Sequence, residues 1–155
     1  PEFLALATDD FIRRTARRGR PGTTMVPRQG ITNWELDGII DYLRSLPADG
    51  QAKLKLDPEA VFSGDADRGQ QNFSTYCAPC HGPRGEGYAM GGSGPAIGLP
   101  GFLGAVPDDY ILQTVKHGRT GTAMRPFSGP LGLAQLEDQQ IKDIIVFLRS
   151  RTVLP

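Results

Sequence analysis

Cys77-Ala78-Pro79-Cys80-His81 contains both cysteines of the sequence, with a histidine directly behind the second. That is the spacing of covalent c-type haem attachment. Two thiols three positions apart on a turn of helix can each bond one vinyl group of the same porphyrin, and the next side chain then points at the iron. Three other readings of these residues compete. A thioredoxin-type CxxC needs a βαβ setting, and no run of alternating apolar residues precedes Cys77. A zinc site could draw on Cys77, Cys80, His81 and His117, but adjacent Cys80 and His81 make an awkward pair of ligands for one small ion. A disulfide between Cys77 and Cys80 would close too small a loop to stabilise much.

The composition suits a chain wrapped around something. Its 155 residues include 17 basic and 17 acidic side chains, and zero net charge gives no hold on nucleic acid or on a strongly anionic surface. With 20 Gly and 13 Pro, a loop-rich fold is expected rather than a regular sheet or bundle. A covalently held cofactor would supply the apolar core that such a chain lacks. No apolar run reaches the roughly 18 residues needed to cross a bilayer. The opening Pro1-Glu2-Phe3 is neither a signal peptide nor a translation start, which points to a processed or incomplete chain.

An internal repeat sets the domain organisation. Residues 1–27 align without a gap on residues 100–126 at a constant offset of 99, with identities that include Leu4/Leu103, Asp9/Asp108, Thr15/Thr114, Gly19/Gly118, Arg20/Arg119 and Met25/Met124. After a length difference of six residues the match resumes, Ile39-Ile40-Asp41-Tyr42-Leu43-Arg44-Ser45 against Ile144-Ile145-Val146-Phe147-Leu148-Arg149-Ser150. Residues 1–46 therefore read as the second half of a domain whose complete copy occupies 66–155, with 47–65 as linker. Half of a small domain buries too little surface to fold alone, so a missing first half is expected. Projected from the complete copy, its CxxCH would fall upstream of Pro1. The alternative is a relic half-domain packed on the second domain or on a partner.

Local signals predict an all-α chain. Thr8-Asp9-Asp10 caps a short helix that Gly19 closes, and 21–27 is loop. Thr32 and Glu35 stand at capping-box spacing before Leu36, Ile39, Ile40 and Leu43, and Pro47 ends that helix. A helix over 67–76 runs into Cys77, 82–100 is an extended Gly/Pro-rich loop, Pro107-Asp108-Asp109 repeats the first cap, and 137–151 closes the chain as an amphipathic helix.

A second axial ligand has three candidates. Met90 lies nine residues past His81, too near for the chain to round the porphyrin edge. His117 ends a predicted helix, where a solvated histidine is ordinary. Met124, 43 residues past His81 in Gly121-Thr122-Ala123-Met124-Arg125-Pro126-Phe127, has the reach, and Met25 holds the same place in the first copy. With Gly69, Phe73, the CxxCH, Gly94-Pro95, the GTAM loop and Phe147-Leu148, residues 66–155 resemble a class I bacterial cytochrome c. The resemblance implies the cytochrome c fold, three to four short helices around a covalent haem c. It implies thioethers from Cys77 and Cys80, iron ligation by His81 and Met124, and a hydrogen bond from His81 to the Pro95 carbonyl. It also implies helix crossing at Gly69 and Phe73 against Phe147 and Leu148. Arg119, like Arg20, is a candidate partner for a haem propionate, the alternative being a solvated arginine. Met25 would serve a second haem.

His/Met ligation leaves no open iron position, so the resemblance implies an electron carrier rather than an enzyme. A subunit of a membrane-associated respiratory or photosynthetic complex is expected, with other redox proteins as partners, in the periplasm or on the outer face of the membrane. A free soluble shuttle would need a charged docking face, for which Arg13, Arg14, Arg17, Arg18 and Arg20 are the candidates. A dihaem oxidoreductase would need a replaceable axial ligand, against which the GTAM loop argues.

Overall fold

The computed structural model describes residues 4, 7–20, 25–46 and 56–151. The expected loop over 21–24, most of the expected linker (47–55), Pro47 and the repeat positions Phe3, Gly22 and Thr23 lie outside these. The chain forms two compact units, Pro1–Leu56 and Asp57–Pro155. The described residues are helical or irregular, without strands, as the patterns predict.

The first unit holds α1 (Asp9–Arg18) and α2 (Asn33–Ser45). Thr8 caps α1 by accepting from the Phe11 N–H at 3.1 Å. Thr32 and Glu35 make the reciprocal box on α2, at 2.8 and 3.2 Å. Leu36 and Ile40 bury toward α1, where Phe11 and Ile12 are also buried. The second unit contains α3 (Ala66–Tyr76), α4 (Ala78–His81), a 3-10 turn (Gly87–Met90), α5 (Pro100–Leu103), α6 (Asp108–His117) and α7 (Asp138–Ser150).

The α3–α7 crossing is the core of the second unit. A Cβ on Gly69 would overlap the Asp143 carbonyl, its carbon only 2.5 Å away, and would stand 2.9 Å from the Phe147 Cβ. Glycine therefore lets the two backbones touch, and Phe73, fully buried, packs its ring 5.5 Å from that of Phe147. Asp143, also fully buried, accepts from Arg68 Nε at 2.7 Å and from the Asp65 N–H at 2.9 Å. The Arg68 guanidinium holds its carboxyl down to about 2.

One set of contacts has the same form in both units. Arg149 donates from Nε to Asp108 at 2.8 Å, and from its terminal nitrogens to the carbonyls of Val106 and Leu103. In the first unit Arg44 donates in the same way to Asp9 at 3.0 Å and to the carbonyls of Ala7 and Leu4. One arginine thus clips the last helix of each unit to the start of the helix before it.

Three expectations are corrected. Residues 57–65, read as linker, belong to the second unit: Asp57 and Phe62 donate their N–H groups to Asp109 and Asp108 at 3.0 and 2.9 Å. For the same reason Asp108 and Asp109 do not repeat the Thr8 cap. The N-cap of α6 is Pro107, which has no side-chain acceptor, and both carboxylates are buried against the 57–62 strap and Arg149. Finally, the loop 82–100 contains the Gly87–Met90 turn and leads into α5 at Pro100; a single turn is too short to show periodicity.

Candidate functional site

Cys77 is the single residue between two helices, the C-cap of α3 and the N-cap of α4. Its N–H closes α3 on the Phe73 carbonyl at 2.9 Å, while its own carbonyl accepts from His81 at 2.9 Å to form the single turn α4. Pro79 sits in the first turn, where no N–H is required. The α3–α7 crossing thereby fixes where the attachment turn begins. Both cysteines are free thiols, Cys80 exposed and Cys77 half-buried, and burial pushes the Cys77 thiol up to about 12. A thiol so reluctant to ionise is a poor redox nucleophile of the thioredoxin kind.

His81 is buried, and its Nδ1 lies 2.8 Å from the Pro95 carbonyl. A carbonyl only accepts, so Nδ1 carries the proton and Nε2 presents its lone pair. Burial lowers the imidazole's basicity, with the Pro95 contact opposing it, which keeps the ring neutral and fit to bind a metal. The backbone reaches the ring because residue 94 is glycine: a Cβ there would stand 2.8 Å from both Cε1 and Nδ1. Gly94 in turn donates to the Cys80 carbonyl at 2.8 Å, so attachment turn and histidine acceptor form one braced unit. The sequence offered Gly94-Pro95 through resemblance alone.

Met124 is half-buried in a tight loop on the end of α6. Arg119 N–H donates to its carbonyl at 2.7 Å, Thr122 Oγ1 accepts from its N–H at 3.1 Å, and Phe127 N–H is tied to the Val115 carbonyl at 3.0 Å. Gly118 has φ +67 and would place a Cβ 2.6 Å from the Met124 carbonyl oxygen, so the loop crosses directly over the helix end. The other two axial candidates face solvent: Met90 is 61% exposed and His117 is exposed. The side-chain guanidinium of Arg119 lies over the Tyr110 ring, 5.7 Å from its centroid, and donates to the Tyr110 hydroxyl. Arg20 lies likewise over Phe11 at 5.6 Å, and its N–H donates to the Met25 carbonyl at 2.8 Å. Met25 itself is 43% exposed.

The Thr114 hydroxyl, missed by sequence reasoning, is buried on α6 one turn before Gly118 and has no hydrogen-bond partner among the described residues. A buried donor without a protein acceptor, a neutral imidazole with a free Nε2 and two unpaired thiols on one turn fit a covalently held haem. They do not fit zinc: among the described residues no three His, Cys, Asp or Glu side chains are gathered to hold an ion.

The sequence model of the family described as cytochrome c oxidase, cbb3-type, subunit III matches residues 64–148. The chain belongs to that family of c-type cytochromes. The cytochrome is 24% identical over 133 residues to the cbb3-type cytochrome c oxidase subunit CcoP of Azospirillum brasilense, across 83% of this chain and 40% of that protein. It is 38% identical over 69 residues to cytochrome c55X of Stutzerimonas stutzeri, across 44% of this chain and 52% of that one. The chain thus spans about half or less of the length of these curated relatives. Its fold is shared with a chain of the reducing HAO-like protein complex of Kuenenia stuttgartiensis, at TM-score 0.56 and 20% identity, covering 92% of this cytochrome and 71% of that chain. A cytochrome of this family carries electrons on covalently bound haem c.

The arginines read as a docking face are largely engaged within their own unit. Arg13 pairs with Asp37 at 2.7 Å, Arg14 with Asp10 at 2.9 Å, and Arg17 donates to Asn33. Among the described residues no helix is long and apolar enough to cross a membrane.

Proposed function

We propose that this cytochrome passes single electrons through a haem c held by Cys77, Cys80, His81 and Met124, as the electron-carrying portion of a larger respiratory complex outside the cytoplasm. The observation that carries the reading is the His81–Pro95 contact of 2.8 Å, which leaves Nε2 free on the residue directly behind two free thiols. Haem c supplies a one-electron iron couple when bound. Cys77 and Cys80 would anchor it through thioethers, and His81 would ligate the iron through Nε2. Met124 would supply a second ligand, a soft thioether that favours ferrous iron and raises the potential. Both ligands are held by backbone hydrogen bonds, so little of the chain needs to move when the charge changes.

Met124→Ala tests the ligand set. Loss of the far-red thioether-to-iron absorption of the oxidised protein, together with a lower potential, is expected; an unchanged spectrum and potential would remove Met124 from the site. Assembly into a complex is supported by the pairing of Arg13 and Arg14 within their own unit, which takes up part of the charged face a free shuttle would use, and by relatives named as an oxidase subunit and as part of a multiprotein complex. Residues 1–46 are the closing half of a second such domain in this reading, with Met25 as ligand to a second haem carried on a segment outside this sequence. The matching Arg20–Met25 and Arg119–Met124 backbone contacts support it. The intact mass of the protein from its source decides: two covalent haems are expected, and one would make residues 1–46 a docking segment.

A further inference from the structure

Helix α2 carries a face that its own unit does not bury. Leu36 and Ile40 are 0% and 2% exposed, whereas Trp34, Ile39 and Tyr42 are 84%, 46% and 65% exposed. At 100° per residue, Trp34, Gly38, Tyr42 and Ile39 fall within an arc of about 140° beside the buried stripe. At its centre Gly38 would meet nothing within 4 Å if it carried a Cβ. A glycine in a helix interior weakens the helix, and here it gains no close contact in return.

The internal copy shows what covers such a face. At the offset of 105 that superposes α2 on α7, Gly38, Ile39 and Tyr42 correspond to Asp143, Ile144 and Phe147. In α7 those three are 0%, 1% and 8% exposed because α3 lies across them. Asp143 there requires Arg68 from the covering helix, at 2.7 Å. Gly38 removes that carboxylate and with it any need for a cation opposite.

We propose that the Gly38–Ile39–Tyr42 face of α2 seats an amphipathic helix of the α3 kind, crossing closely at Gly38 and presenting apolar rather than basic side chains. The seat rests on reading residues 1–46 as the closing half of a domain, and deepens it by naming the surface and the chemistry of its occupant. Hydroxyl-radical footprinting of the haem-loaded protein isolated from its source reads it, with Tyr88, 66% exposed, as reference in the same molecule. If Tyr42 goes from 65% exposed to the 8% of Phe147, its modification falls about eightfold relative to Tyr88. A Tyr42 that reacts like Tyr88 overturns the proposal. So does protection that vanishes on dilution, or a photo-crosslink from a benzophenone at position 42 to α2 of another molecule, either of which would make the occupant a second copy. In the same protein Gly38→Ala lowers the melting temperature if a helix crosses there and raises it if the face is bare. Haem counting is independent: two haems with a reactive Tyr42 refute the seat alone, and one haem with a protected Tyr42 refutes only the second haem.

Discussion

Gly69→Ala tests whether the helix crossing that leads into the attachment turn is as close as it stands. The new methyl would find the Asp143 carbonyl carbon at 2.5 Å and the Phe147 Cβ at 2.9 Å, against 3.4–4 Å for ordinary contact. Backbone cannot swing aside like the end of a side chain, so α3 and α7 must part by about 1 Å at their closest point, a strain of about 3 kcal/mol, the upper end for overpacking. Alanine returns about 1 kcal/mol of helix propensity. The net loss is about 2 kcal/mol, or roughly 10 °C in a unit of this size. Urea and thermal denaturation of the haem-loaded protein, followed by far-ultraviolet circular dichroism, measure it. Gly30→Ala, where a Cβ would meet nothing within 4 Å, is the control and should leave the midpoint in place. A Gly69→Ala protein as stable as the parent would refute the close crossing. Because α3 ends on Cys77, it would also refute the account of how the attachment turn is positioned.

Other predictions follow from the ion pairs and thiols. Asp143 is held at about 2, below its ordinary 3.8, so it binds its proton less readily folded than unfolded. Its contribution is present above pH 4 and lost as pH falls from about 4 to 2; with Arg68 55% exposed, solvent screening leaves about 1–2 kcal/mol of it. Asp143→Asn should therefore flatten the acid limb of urea midpoints taken between pH 6 and 2.5, and an unchanged limb would remove this pair from the acid response. Arg149→Met leaves Asp108 buried without its cation and should cost about 3 kcal/mol, read as a lowered urea midpoint; a loss below about 1 kcal/mol would show that Phe62 N–H alone satisfies that carboxylate. Cys77→Ser with Cys80→Ser should yield protein without covalent haem by intact mass, and retained covalent haem would refute the attachment site.

Much of this was legible in the sequence because it is local or repeated. The CxxCH, the Thr32–Glu35 box and the stop at Gly19 involve residues a few positions apart, and the offset of 99 aligns two stretches of sequence residue by residue. What escaped depends on distant partners. Asp108 and Asp109 look like cap residues until a strap some 46 and 52 positions away claims them. Arg119 offered a charge for a propionate; that its guanidinium also lies over the Tyr110 ring of the preceding helix is a contact no local pattern marks. The exposure of Ile39 and Tyr42 could not be read from periodicity, which predicts an apolar stripe but not whether anything lies on it.

The acceptor for His81 is a main-chain oxygen, and every amino acid brings one. No substitution at position 95 can delete it, so random mutation cannot retune the histidine by changing the chemistry of its partner. Position 94 is different: any side chain there would wedge between loop and ring, since even a Cβ stands 2.8 Å from the imidazole. The site's tolerance to sequence drift is therefore lopsided, broad at the residue that makes the bond and narrow at its silent neighbour. A library varied at 94 and 95 would be winnowed almost wholly at 94.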